Sequence, residues 1–104
     1  MPLDTTGLDA TTQFLLKLRD RLTPENWRPF AVSNPRDYSE GLGCLIQQYN
    51  WVMRHDELPY DKIPEVQARL RKAGHCKRFN DLATFNDSHS LDEVCALVDR
   101  AIAG

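Results

Sequence analysis

The sequence predicts an all-α or nearly all-α fold, a compact bundle of four to five short helices. Three observations carry this prediction. Apolar residues recur at three-to-four spacing in several separate segments. Prolines fall between those segments or at their first turns. Only Phe30-Ala31-Val32 reads as extended, and Pro29 confines it to an edge or loop, so a short extended segment near residues 28–32 is the most that a sheet could contribute.

The elements follow in chain order. Residues 1–10 read as a flexible N-terminal lead, and residues 11–104 as a single helical domain. Thr11 to Leu22 forms the first predicted helix, with Phe14, Leu15, Leu18 and Leu22 on one face, and Thr23-Pro24 stops it. Asn34-Pro35 marks a turn. Glu40 to about Arg54 is the second helix, striped by Leu42, Leu45, Ile46, Tyr49, Val52 and Met53, although Gly41 and Gly43 weaken its first turn. The third begins near Ile63-Pro64, faces the core with Val66, Leu70 and Ala73, and is expected to be capped by Gly74. Lys77 to Phe85 is a short helix or turn.

The last helix has the fullest signature. Ser90-Leu91-Asp92-Glu93 is a capping box, followed by Leu91, Val94, Cys95, Val98, Ala101 and Ile102 on one face. Burying such a stripe contributes on the order of 10 kcal/mol before entropy, against about 1 kcal/mol for the cap. Packing therefore keeps this helix, and the cap decides where it starts. The second and last helices are expected to form the core.

Composition narrows the function classes. With 41% hydrophobic and 27% charged residues, the 104-residue chain matches one ordinary globular domain. A formal net charge of −2 argues against generic binding to nucleic acid or acidic membranes. No apolar run reaches bilayer length, and Met1 to Ala10 lack the pattern of a secretory signal. Cys44, Cys76 and Cys95 are odd in number and widely spaced, which reads as reduced thiols in a cytoplasmic protein.

Two constellations are candidates for function. Cys44, Gln48, Trp51 and His55 share a face of the second helix opposite its main stripe. That face is either the centre of a partner-binding surface or a second buried face of a central helix. Asn86, Asp87, His89 and Ser90 lead into a helix N-terminus, where amides favour anions and an Asp–His pair offers acid–base chemistry. The same residue types equally serve a turn and a cap.

Other chemistry lacks a signature. No local motif surrounds Cys44, or Cys76 beside His75, to mark a catalytic thiol. Metal-ligand spacings are missing, and no cofactor is expected. The basic run from Arg69 to Arg78 could dock phosphate, but reads better as a solvated face balanced by the acidic residues that follow.

The C-terminal third, Leu82-Ala83-Thr84-Phe85-Asn86-Asp87 followed by Ser90-Leu91-Asp92-Glu93-Val94 and Ala101-Ile102, resembles an uncharacterised family of small bacterial proteins with an aromatic-Asn-Asp motif before a capped helix. Trp27 and Cys44-Leu45 fall where that family places a Trp and a Cys-hydrophobic pair. Phe85 stands where a Trp is usual, and His89 near a usual Arg. The resemblance implies no activity; it points to Trp27 and Asn86-Asp87 as a structural knot tying the loop to the helix start.

The sequence thus favours a non-enzymatic interaction module, an adaptor, regulator or inhibitor acting on a protein partner. A free-standing protein of a phage or mobile element fits this description. The alternative is a small-ligand binder or enzyme using Asn86, Asp87 and His89.

Overall fold

The computed structural model describes residues 9–29, 40–56 and 58–104. Most of the expected N-terminal lead lies outside the described residues, as do Phe30-Ala31-Val32 and the Asn34-Pro35 turn. Among the described residues there are five α-helices: α1 (Ala10–Arg21), α2 (Leu45–His55), α3 (Ile63–Ala73), α4 (Asp81–Ser88) and α5 (Leu91–Ala103). One 3₁₀ turn, Tyr60–Lys62, leads into α3. No strand forms among these residues; the nearest approach is an isolated parallel bridge between Trp27 and Gly43.

The amphipathic stripes explain the packing. Phe14, Leu15 and Leu18 of α1 are completely buried, together with Val66 and Leu70 of α3, Leu82 of α4, and Val94, Leu97 and Val98 of α5. The expectation that the second and last helices form the core needs a correction. Both stripes are buried at their centres and half-buried at Leu42, Ile46, Met53, Leu91 and Ile102, but α5 packs chiefly on α1 and α3, while α2 packs on α1 and α4. Helix α1 joins the two halves because Phe14, Leu15 and Leu18, with Leu22 just past its end, span a face wide enough to meet both. Leu97, outside the predicted stripe, is fully buried because α5 is covered over a broader arc.

Element ends also differ from the sequence reading. The second helix starts at Leu45 rather than Glu40, since Gly41 takes φ +78° and ends any helical path there. Instead, residues 41–43 run back beside Asn26–Arg28, where the Gly43 amide donates to the Asn26 carbonyl and the Arg28 amide to the Gly43 carbonyl. The short helix after Lys77 begins at Asp81 and extends through Ser88.

Gly74 ends α3, but the left-handed residue is His75 at φ +55°. The Cys76 amide donates to the Arg71 carbonyl and the His75 amide to the Lys72 carbonyl, the bonding of a Schellman motif. Gly74 is needed for another reason. A Cβ there would sit 2.9 Å from a Leu97 methyl carbon. At the start of α5 the capping box forms as read: the Glu93 amide donates to Ser90 Oγ, and the Ser90 amide to Glu93 Oε1.

Candidate functional site: the two ends of helix α2

Helix α2 carries one polar knot at its N-terminal end and one open hollow at its C-terminal end. The knot centres on Asn86, fully buried in α4. Its Oδ1 accepts from the Trp27 indole Nε1 at 2.6 Å and from the Leu45 amide at 3.0 Å. Its Nδ2 donates to the Arg28 and Pro29 carbonyls at 3.2 and 2.9 Å. Leu45 is the first residue of α2, so an amide left without an intrahelical acceptor receives one from another helix. Trp27 and Asn86 are therefore bonded directly.

Gln48, also fully buried, does the same for the loop before α2. Its Nε2 lies 2.7, 3.0 and 3.3 Å from the carbonyl oxygens of Gly41, Asn26 and Gly43, and its Oε1 accepts from Arg21 Nε at 3.1 Å. Among the described residues no buried side-chain polar atom lacks a partner. Both amide side chains are thus committed to the backbone they hold.

The Cys44–Gln48–Trp51–His55 face consequently divides along the helix. Cys44 and Gln48 point inward, His55 is exposed, and Trp51 is half-buried between them. Gly41 packs so closely under Trp51 that a Cβ there would lie 2.8 Å from a ring carbon. The Arg21 guanidinium lies over the indole at 4.8 Å and that of Arg54 at 5.7 Å from the ring centroid. The His55 ring stacks on Trp51 at 4.0 Å, and its Nδ1 is 2.8 Å from the Trp51 carbonyl oxygen. Lys17, Arg21, Trp51, Val52, His55 and Asp56 line an open hollow of about 270 Å³. Lys17 Nζ pairs with Asp56 Oδ1 at 2.7 Å across its rim. Burial pulls the Arg21 pKa below its ordinary value.

The second constellation does not converge on a cavity. Asn86 faces the interior, whereas Asp87 and Ser90 are exposed. His89 stacks flat on Phe85 at 3.8 Å, and its Nδ1 lies 2.7 Å from the Phe85 carbonyl oxygen and 3.0 Å from Ser88 Oγ. Its Nε2 is 3.9 Å from Glu93 Oε2, so His89 turns toward α5. The sulfurs fare similarly. Cys44 and Cys95 are buried, and burial raises the thiol pKa of Cys76 and Cys95, with Asp81 adding to the effect at Cys76.

The basic run is also dispersed. Arg69 donates to the Ala101 and Ile102 carbonyls at the end of α5, and Arg100 donates to the Ala73 carbonyl at the end of α3. Arg71 reaches the Lys77 carbonyl, and Arg78 pairs with Asp81 at 3.4 Å. Among the described residues no group of three or more His, Cys, Asp or Glu side chains is placed to hold a metal ion. No described helix is long and apolar enough to cross a membrane.

Sequence reasoning singled out Trp51 and His55 but missed Lys17, Arg21, Arg54 and Asp56. Lys17 and Arg21 lie one turn apart on α1, a spacing visible in the sequence, but nothing local points them toward α2. No family model, curated protein or solved structure matches this chain.

Proposed function

We propose that this protein is a small interaction module, an adaptor, regulator or inhibitor that acts by binding another macromolecule, with Trp51 at the centre of its docking surface. The observation that carries this reading is the half-buried Trp51 beside Arg21 in an open hollow. Trp and Arg are the residues on which interface binding energy most often concentrates, especially where a rim of other side chains excludes water. Lys17, His55 and Asp56 supply such a rim. The rival reading, a ligand site at Asn86, Asp87 and His89, has less to support it because Asn86 already bonds four protein groups.

Affinity capture from native lysate tests the proposal, using wild type, Trp51→Ala, Trp51→Leu and Tyr60→Ala. Tyr60 is 90% exposed and serves as the control for a generic sticky aromatic. The expected result is a partner kept by wild type and Tyr60→Ala and lost from both Trp51 variants, each folded by circular dichroism. Equal capture by all four proteins would overturn the reading.

A further inference from the structure

We infer that the hollow beside Trp51 receives a carboxylate-bearing segment of an acidic protein, with the carboxylate entering beside Arg21. The inference rests on reading Trp51 as a docking surface and adds the chemistry of what docks there. Charge complementarity carries it. Of the described residues lining the hollow, Lys17 and Arg21 are cationic, and Asp56 alone is acidic. Asp56 is already paired with Lys17. Arg21 is balanced differently. Its partners among the described residues are the Gln48 and Gly41 oxygens and the Trp51 ring, none of which carries a formal charge.

A half-buried guanidinium held by neutral oxygens keeps its charge with only dipoles to compensate it, at the edge of an open space. A carboxylate arriving there makes a charge-assisted hydrogen bond in partly desolvated surroundings, where such bonds are about twice as strong as neutral ones. Trp51 and Val52 provide an apolar surface for the methylenes or a neighbouring aliphatic side chain. Gln48 and Gly41 fix the guanidinium in place, so little side-chain entropy is lost on binding.

A nucleic acid fits this hollow less well. Phosphates recur along a strand and need a track of cations, whereas Asp56 interrupts the rim and the chain has a net charge of −2. At about 270 Å³ the hollow holds one or two side chains rather than a polymer backbone.

The test is a titration of ¹⁵N-labelled protein, followed by NMR, with three probes. These are a heptapeptide of six glutamates around a central leucine, its glutamine counterpart, and an octamer of uridylate. The glutamate peptide is expected to move the Trp51 indole and Arg21 side-chain signals, while the Trp27 indole, bonded to Asn86, stays in place. The glutamine peptide is expected to bind at least about tenfold more weakly, and Lys17→Glu to weaken the glutamate peptide about fivefold while the spectrum stays folded.

Equal binding of the glutamine peptide would overturn the acidic specificity and leave the docking surface standing. Tighter binding of the RNA, or shifts centred on Lys72 to Arg78, would overturn the proposal outright. Shifts at Trp51 that grow with protein concentration alone would replace it with self-association. No shift at Trp51 with any probe would also overturn it, with the docking reading then resting on the Trp51 capture experiment.

Discussion

At the scale of single residues, Asn86 and His75 make opposite contributions. Asn86→Ala leaves the Trp27 indole, the Leu45 amide and the Arg28 and Pro29 carbonyls without this partner. The Leu45 amide bond is buried and the other three are partly so. At about 1–3 kcal/mol for a buried group left unsatisfied, the variant is expected to lose at least about 2 kcal/mol in urea unfolding. A loss below about 1 kcal/mol would show that the knot does not hold the fold. His75 is in the left-handed region without glycine's freedom. His75→Gly is therefore expected to stabilise by about 0.5–1 kcal/mol, after allowing for the greater freedom of the unfolded glycine chain. The sequence showed Asn86 as a residue type suited to turns and caps, but not its direction. Its bonded side-chain and amide partners, Trp27 and Leu45, lie 59 and 41 positions away, beyond the reach of any local pattern.

At the scale of elements, legibility follows the range of the interaction that sets each boundary. The start of α5 was legible because Ser90 and Glu93 are three residues apart and cap each other. Ser90→Ala is expected to cost about 1 kcal/mol in thermal unfolding. The Ser90 amide and hydroxyl bonds hold the Glu93 pKa below its ordinary 4.5. A lowered carboxylate contributes stability that is full above its unfolded pKa and is lost as pH falls through its folded one. The melting-temperature difference between wild type and Glu93→Gln is therefore expected to shrink as pH drops below 4.5. A constant difference from neutral pH to acid would contradict this role.

The ends of α3 and α5 were not legible in the same way. Arg69 reads from the sequence as a member of a basic run, yet Arg69 and Arg100 each donate to the terminal carbonyls of the other's helix. Cations at helix C-termini satisfy orphan carbonyls and oppose the dipole. Arg69→Met, which keeps the aliphatic stem, is expected to cost about 1–2 kcal/mol by denaturant unfolding. Full retention of stability would assign the contacts no net value.

For the whole molecule, the predicted stripes were enough to give an all-α bundle because burial of apolar faces dominates its energetics. They could not reveal that α1 joins the two halves, since several pairings of amphipathic helices bury similar area. The hollow was legible only in part. Trp51 and His55 share a helix face, but Lys17 and Arg21, the cations that give the hollow its charge, come from α1. The ion pairs lie at the surface; in Arg19–Asp99 the side chains are 36% and 57% exposed, and in Arg78–Asp81 they are 81% and 37% exposed. Exposed pairs of this kind contribute little and are screened by salt. Raising sodium chloride from about 0.05 to 0.5 M is accordingly expected to shift the melting temperature by no more than about 3 °C.

The bond from Asn86 to the first amide of α2 also bears on the order of assembly. The acceptor for the Leu45 amide is synthesised 41 residues later, so α2 cannot complete its N-terminal bonding until the chain has grown through α4. Amides in the first turn of a helix ordinarily exchange quickly with solvent because that turn frays on its own. Here the Leu45 amide is expected to exchange only as slowly as global unfolding allows, which makes it a reporter of whether α2 and α4 are joined.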